Sequence, residues 1–221
     1  MFFFEENVKK LIFFTNFALF FRKYMKLIVM TQPDFFVEED KILSTLFYEG
    51  MDLLHLYKPN SEPIFSERLL SLIPERFHKK IVVHEHFYLR NEFDLAAINL
   101  EDETDAPPSS YKGKMSCTCN NISNLADKDV KKRFQYILLN KTFTPDGYDI
   151  SELERAASDG LINKKVFAMG GVTADNIALA DKLDFGGVVV RTDLWSRFNR
   201  HYHTDYKELI QHFIKLKKII G

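Results

Sequence analysis

The chain has 221 residues, with 30 lysines and arginines against 31 aspartates and glutamates and a net charge of −1. A hydrophobic fraction of 46% argues against a disordered chain and is sufficient for one domain with a substantial core. The balanced charge argues against sequence-independent binding to nucleic acid, and the only two cysteines, Cys117 and Cys119, lie too close together for the disulfide framework of a small secreted scaffold.

The first 24 residues are rich in phenylalanine and differ from the rest of the chain. Their longest uncharged run, residues 11–21, is shorter than the roughly 20 residues that a membrane-spanning helix needs. Charged residues follow this run where a signal peptide would have a small-residue cleavage site. We therefore expect a cytoplasmic protein without a membrane partner. We expect residues 1–24 to be an extension that is either not translated or an accessory helix, and residues 25–221 to form the folded domain.

Eight short apolar runs follow one another from residue 25 onward. Continuous rather than alternating apolarity is typical of parallel strands that are buried on both faces of a sheet. The eight predicted strands are residues 27–30, 53–56, 81–83, 95–98, 114–117, 136–139, 166–169 and 187–190.

Helical patterns lie between several of these strands and after the last one. Residues 38–48, 175–183 and 206–220 carry apolar side chains at i, i+3 and i+4 spacing, as amphipathic helices do. Eight strands with crossover helices favour a single-domain (β/α)8 TIM barrel, with a doubly wound open sheet as the alternative. In both folds ligands bind at the carboxyl ends of the strands, so the residues that follow each apolar run are the candidates for chemistry.

The ends of the last two predicted strands favour a phosphate site. Gly170 and Gly171 let backbone N–H groups approach an anion, and Thr173 caps the helix that follows. A tight turn that requires glycine would explain the two glycines equally well. Arg191 and Thr192 add a guanidinium and a hydroxyl at the end of the eighth strand, which neighbours the seventh in a closed barrel, so phosphate binding becomes the favoured interpretation.

The chain resembles the thiamine phosphate synthase and thiazole tautomerase superfamily from about Lys26 to Trp195. The residues that carry the resemblance are 27–31, 50–59, 81–86, 134–139 with Phe143, the Gly170-Gly171 turn and 186–190. The resemblance implies a small barrel that binds a thiazole phosphate between its last two strands. It also implies thiamine phosphate synthase activity, in which a pyrimidine pyrophosphate is joined to the thiazole phosphate and pyrophosphate is released, with Mg²⁺ as cofactor.

The resemblance implies a role for each candidate residue. His55 and His84 would line the pyrimidine site, and Lys58 would contact the pyrophosphate. Glu85 would hold Mg²⁺ together with Asp102 or Asp105, two residues of one acidic run between which the sequence does not decide. The thiazole phosphate would be held by Gly170, Gly171, Arg191 and Thr192. The expected partners are therefore two phosphorylated small molecules, and the resemblance also allows a homo-oligomer.

Several positions depart from the family pattern. The family's second strand usually ends Gln-Leu-Arg-Glu-Lys, whereas residues 55–59 read His-Leu-Tyr-Lys-Pro, and its third usually ends Asn-Asp-Arg, whereas residues 84–86 read His-Glu-His. The lysine that binds pyrophosphate after the sixth strand is missing, and Thr118 stands where the tautomerase branch has an imidazole. Two alternatives thus remain open: a tautomerase-like isomerase with His55 or His84 as its base, and a barrel that binds thiazole phosphate without turnover.

Three other pairs in the sequence have simpler interpretations. His84 and His86 have the spacing of a zinc pair, but a barrel hydrolase would need further ligands on later strands. We expect Cys117 and Cys119 to pack in the barrel wall. His201 and His203 lie in a polar stretch and are expected at the solvated surface, whereas Trp195 is expected to pack a helix onto the barrel.

Overall fold

The computed structural model describes residues 25–198 and 205–221. The predicted N-terminal extension and the pair His201 and His203 lie outside these residues. Within them no helix is both long and apolar enough to cross a membrane.

Eight parallel strands form a closed barrel in the described part of the chain. Each strand pairs with the next along the sequence, and the eighth pairs with the first, Lys26 lying opposite Gly187. This closure confirms the predicted (β/α)8 barrel and excludes the doubly wound open sheet. The strands are β1 (Lys26–Met30), β2 (Leu53–Leu56), β3 (Ile81–Val83), β4 (Ala97–Leu100), β5 (Met115–Cys119), β6 (Tyr136–Leu139), β7 (Val166–Met169) and β8 (Gly187–Val190).

The helices of the described residues cover the outside of the barrel. Three of them match the predicted helical patterns to within two residues at each end. They are α1 (Glu39–Tyr48), α2 (Pro63–Leu72), α3 (Leu89–Glu92), α4 (Lys128–Arg133), α5 (Ile150–Ser158), α6 (Ile177–Lys182), α7 (Thr192–Trp195) and α8 (Lys207–Ile220), with 3-10 helices at Glu75–Lys80 and Ile122–Ala126.

The strands separate two buried layers, because successive side chains of a strand point to opposite faces. The larger layer lies between the barrel and its helices and includes Cys117 and Cys119, which are free, fully buried thiols. This position confirms their predicted role in the barrel wall, and burial raises the pKa of Cys119 to about 12. A smaller apolar cluster fills one side of the barrel interior: Ile28, Met30, Tyr136, Leu138, Phe167 and Val189.

The other side of the barrel interior is polar. Its buried side chains are His55, His84, Asn99, Ser116 and Thr118, which come from β2, the end of β3, β4 and β5. Asn99 explains why the predicted fourth strand is displaced by two residues, at 95–98 instead of Ala97–Leu100. A search for continuous apolar runs stops at this amide, although its hydrogen bond with Ser116 allows it to be buried in the strand.

Trp195 packs α7 against the barrel, as predicted. Its indole N–H donates to the carbonyl oxygen of Met30 at 2.9 Å, and its ring meets that of Phe36 edge to face at 5.7 Å. The hydrogen bond ties the segment after β8 to the end of β1, which are the two strands that close the barrel.

Candidate active site

A cavity of about 490 Å³ opens at the carboxyl ends of the strands. The residues that line it include five of the predicted site residues, namely His84, Gly170, Gly171, Arg191 and Thr192. Four others, His55, Lys58, Glu85 and Asp102, are not among its lining residues. The barrel thus brings together the proposed phosphate site and one of the two predicted imidazoles.

The backbone conformation at positions 170 and 171 requires glycine, and the Gly170-Gly171 turn also forms part of the cavity wall. The two residues have φ values of +88° and +68°, which favour glycine. A Cβ atom on Gly171 would overlap the carbonyl oxygen of Phe143, whose own N–H donates to the carbonyl of Gly170 at 3.0 Å. A Gly171→Asp substitution, which would place a carboxylate against a bound phosphate, would therefore also disrupt the packing of the two loops.

Arg191 and Thr192 line the same cavity from the end of β8, the strand that pairs with β7. The guanidinium carbon of Arg191 lies 5.9 Å from the centre of the Tyr57 ring, and one of its nitrogens lies 3.8 Å from the sulfur of Met30. Within the described residues no carboxylate forms an ion pair with Arg191. An exposed guanidinium of this kind is well suited to bind a phosphate group.

A chain of hydrogen bonds leads from the cavity into the polar side of the barrel. Glu101 Oε1 lies 2.8 Å from His84 Nδ1, and His84 Nε2 lies 2.9 Å from His55 Nδ1. His55 Nε2 lies 2.7 Å from the hydroxyl of Tyr136. His55 is fully buried, bonded to His84, and is not among the residues that line this cavity. Burial, together with the neighbouring His84, lowers the pKa of His55 well below its usual value.

Lys58 lies in a buried ion pair and does not make the predicted contact with the cavity. Its ammonium is fully buried and lies 2.7 and 2.8 Å from the two carboxylate oxygens of Glu39, at the start of α1. It also donates to the carbonyl oxygen of Asp34 at 2.9 Å and lies 4.3 Å from the centre of the Phe35 ring. A lysine enclosed in this way joins β2 to the loop after β1 and cannot reach a pyrophosphate in the cavity without leaving its partners.

The predicted metal ligands do not converge. Glu85 is partly buried and accepts the backbone N–H of Lys58 at 2.9 Å, whereas Asp102 accepts the N–H and the hydroxyl of Thr104 at 2.9 and 2.7 Å. Asp105 accepts the backbone N–H of Asp102, so both aspartates shape their own loop. The carboxylate that reaches the cavity from this acidic run is Glu101, which the prediction passed over.

No group of three or more histidine, cysteine, aspartate or glutamate side chains in the described part of the chain converges as a metal site. His86 does not join His84 in a zinc pair, because its Nε2 lies 2.8 Å from the carbonyl oxygen of Ser61.

Glu101 and two asparagines of the cavity wall are functional candidates that a search for apolar runs misses. Glu101, Asn120 and Asn140 each follow an inward-facing strand residue by two positions, and all three line the cavity. Because residues i and i+2 of a strand share one face, extending each strand by this step would have identified them. The sequence therefore contains the i, i+2 pattern that identifies these residues, but the pattern can be used only when the strand ends are placed correctly.

The comparisons with known proteins agree with this architecture. No protein-family model and no curated protein matches the chain. Among solved structures, the chain is similar to thiamine phosphate pyrophosphorylase from Bacteroides thetaiotaomicron, with 44% sequence identity and a TM-score of 0.82 over 88% of this chain and 97% of that one.

Two more distant solved structures share the fold alone. Thiamine phosphate pyrophosphorylase from Pyrococcus furiosus is 16% identical, with a TM-score of 0.68 over 90% of this chain and 96% of that one. (S)-3-O-geranylgeranylglyceryl phosphate synthase from Thermoplasma acidophilum, in complex with sn-glycerol-1-phosphate, is 11% identical, with a TM-score of 0.65 over 90% of this chain and 94% of that one. The extent and identity of the Bacteroides match establish that the chain belongs to the thiamine phosphate pyrophosphorylase family.

Proposed function

We propose that the protein is a thiamine phosphate synthase-like transferase. In this reaction the pyrimidine pyrophosphate loses pyrophosphate to leave a stabilised pyrimidine cation, and the thiazole nitrogen then forms the new bond to that cation. The observation that carries the proposal is the 44% identity with a thiamine phosphate pyrophosphorylase over almost the whole of both chains. The cavity supports the proposal, because Arg191 contributes a cation and Glu101 a carboxylate to its lining.

The cavity has the size and chemistry that two small phosphorylated substrates require. Its volume of about 490 Å³ lies within the range of roughly 300 to 1,000 Å³ usual for ligand pockets. We assign the thiazole phosphate to Arg191, Thr192 and the backbone of the Gly170-Gly171 turn, because these are the cation, hydroxyl and N–H donors that an anion requires. His84 and Tyr57 would then border the pyrimidine.

The acidic side of the cavity fits Mg²⁺ if substrate phosphates complete the coordination, which is the usual arrangement for this ion. The Glu101 side chain is 57% exposed, and Glu85 follows the neighbouring strand. Burial raises the pKa of Glu85, and repulsion by Glu101 adds to the rise, so a cation near both carboxylates would be favourable. We propose Glu101 as the principal ligand and Glu85 as the second. The ion would offset the charge of the leaving pyrophosphate.

The tautomerase-like alternative requires a base with a free lone pair. Both ring nitrogens of His84 already lie within hydrogen-bond distance of a partner, and His55 lies beneath it without contact with the cavity. These contacts favour transfer over isomerisation by either imidazole.

The test is to incubate the purified protein with Mg²⁺, the pyrimidine pyrophosphate and the thiazole phosphate, and to measure thiamine phosphate as its oxidised fluorescent product. We expect product that is lost on addition of EDTA. Thiazole phosphate binding measured by calorimetry without any product would support the non-catalytic barrel. Isomerisation of the thiazole without Mg²⁺ or pyrimidine would support the tautomerase.

A substitution in the phosphate site tests the residue assignment. Arg191→Gln should weaken thiazole phosphate binding by roughly 10- to 150-fold, since a hydrogen bond to a charged group contributes about 1.5 to 3 kcal/mol. Arg197→Gln is the matched control, because Arg197 is exposed and does not line the cavity. Equal affinity of both variants in calorimetry would place the phosphate elsewhere.

A further inference from the structure

A second cavity, of about 630 Å³, opens at the amino-terminal ends of the strands, whereas the candidate active site lies at their carboxyl ends. Leu53, Ala97 and Tyr136 are the first residues of β2, β4 and β6, and they contribute apolar surface to this second cavity. The two cavities have no lining residue in common. The volume lies within the range of roughly 300 to 1,000 Å³ that small-molecule sites occupy.

The lining of the second cavity is strongly basic. Five of its residues are lysine or arginine and none is aspartate or glutamate, although the whole chain has almost equal numbers of both charges. The five cationic residues are Lys26, Lys79, Arg90, Lys112 and Lys114. A concave surface with one sign of charge attracts the opposite charge, because its low-dielectric walls focus the electric field.

Four of the five cations form no ion pair in the part of the chain that the structure describes. The exception is Lys79, which pairs with the exposed carboxylate of Asp94. Lys79 and also Arg90 lower the pKa of Asp94, so this one carboxylate faces two of the cations. Exposed lysines elsewhere do form pairs, as Lys141 does with Asp146. The charge around the second cavity is therefore clearly positive, and an anion would be attracted to it.

The backbone that carries these cations is held in place. Lys112 and Lys114 belong to the loop before β5, in which the Tyr111 hydroxyl donates to the carbonyl oxygen of Lys114 at 2.6 Å. The backbone N–H of Tyr111 donates to the carbonyl oxygen of Pro108 at 2.8 Å. Lys26 is the first residue of β1, which pairs with β8. Cations on a fixed backbone reduce the ordering cost of binding a ligand.

Arg90 provides independent support for an acceptor at this cavity. Its Nε–H is buried and has no hydrogen-bond partner among the described residues. Another of its nitrogens donates to the side chain of Asn91 at 3.1 Å, and the guanidinium also bonds with the Tyr111 phenol. A guanidinium has five N–H groups, so donors remain for a further acceptor. Because a buried N–H without an acceptor is costly, an anionic oxygen at this position would be stabilising.

We propose that the amino-terminal mouth of the barrel is a second ligand site, which binds a compact anion with two or more linked phosphate groups. The cations come from β1, the 3-10 helix before β3, α3 and the loop before β5. Several linked anionic groups can engage cations from four segments at once, whereas a single phosphate cannot. Inorganic oligophosphates and nucleotides share this chemistry. The proposal does not rest on the proposed function, since no residue of the active-site cavity takes part.

Lysine acetylation tests the location of the site in the unsubstituted protein. The protein is treated briefly with an acetylating reagent, with and without tripolyphosphate in a metal-free buffer, and each lysine is followed by mass spectrometry of its peptides. At about ten times the Kd, Lys26, Lys112 and Lys114 should react roughly tenfold more slowly, because about nine-tenths of the sites are then occupied. The control lysines are exposed and lie outside both cavities; they are Lys128, Lys215 and Lys218. Unchanged rates at the cavity lysines, or equal protection of the controls, would overturn the proposal.

Calorimetry of charge-removing variants measures what the lysines contribute. All variants carry Arg191→Gln, so that binding at the active-site cavity does not obscure the result. In this background Lys26→Gln, Lys112→Gln and Lys114→Gln together should weaken tripolyphosphate binding by roughly 10- to 100-fold, because charge-assisted hydrogen bonds are lost. The three control lysines changed together to glutamine remove the same charge at a distance, and should leave the affinity within about twofold at 0.15 M salt. Equal weakening in both sets would show an effect of net charge alone and overturn the proposal.

A series of anions tests the proposed chemistry in the same Arg191→Gln background. Orthophosphate, pyrophosphate and tripolyphosphate should bind with increasing affinity, and orthophosphate that binds as tightly as tripolyphosphate would contradict recognition of linked phosphates. ATP that binds more tightly than tripolyphosphate would assign the site to a nucleotide, whereas equal or weaker binding would assign it to an oligophosphate. These measurements do not require turnover, so a protein that makes no thiamine phosphate would refute the proposed function and leave this site standing.

Discussion

The buried ion pair of Lys58 and Glu39 allows an experiment that distinguishes a structural role of Lys58 from a substrate-binding role. The family resemblance implies that Lys58 contacts a substrate pyrophosphate, whereas the structure encloses its ammonium between Glu39, Asp34 and Phe35. We therefore expect Lys58→Met to reduce stability. Methionine retains most of the side-chain volume, so the main loss is electrostatic and leaves an unpaired carboxylate on Glu39, which is only 1% exposed.

The expected loss follows from the environment of the pair. Removing one partner of a buried ion pair costs about 3 to 5 kcal/mol, because the remaining charge is desolvated without compensation. For a domain of this size the melting temperature should fall by roughly 6 to 20 °C. Urea denaturation followed by far-ultraviolet circular dichroism measures the change in the free energy of unfolding.

Two further variants complete this experiment. Lys41→Met also breaks a lysine–glutamate pair near the start of α1, but the Lys41 side chain is 59% exposed, so we expect no measurable loss of stability. The double variant Lys58→Met with Glu39→Leu removes both charges and should recover most of the stability and retain transferase activity. A Lys58→Met protein as stable as the unsubstituted protein, with transfer abolished, would refute the structural role of Lys58.

Two other predictions concern the glycine turn and the cysteines. Gly171→Ala should destabilise the fold by more than the roughly 1 to 3 kcal/mol of a strained φ, since its Cβ would also overlap the Phe143 carbonyl. Gly160→Ala, at a similar φ of +70° but in open space, should show the strain alone in urea denaturation, and equal losses would contradict the close approach. Cys119 should resist thiol reagents in the folded protein at pH 8 and react after unfolding, because its thiolate forms only as the pH approaches the raised pKa of about 12. Rapid labelling of the native protein would contradict its burial.

The fold was largely predictable because the signal for a parallel barrel is strong in the chain. Continuous apolar runs mark strands that are buried on both faces, and all eight strands lie within two residues of their predicted ends. The fourth was displaced because Asn99 is polar and yet buried, and only its hydrogen-bond partners on a neighbouring strand explain how it is accommodated.

The candidate site was less predictable because side-chain direction depends on contacts between distant residues. Lys58 follows a strand, as a substrate-binding lysine would, but its ammonium pairs with Glu39 of α1. Tyr136 begins its strand and contacts His55 across 81 positions of the chain. Arg191 and the two glycines line the cavity because they directly follow strands β8 and β7, where the sequence itself places them.

The indole of Trp195 lies where β1 and β8 close the barrel. It is the chain's single tryptophan, and its hydrogen bond to the Met30 carbonyl joins residues that are 165 positions apart. Contacts between such distant residues form only after a large loop has closed, and they tend to be slow steps in folding. The intrinsic fluorescence of this protein is therefore a built-in reporter of ring closure, distinct from the formation of any individual strand–helix unit.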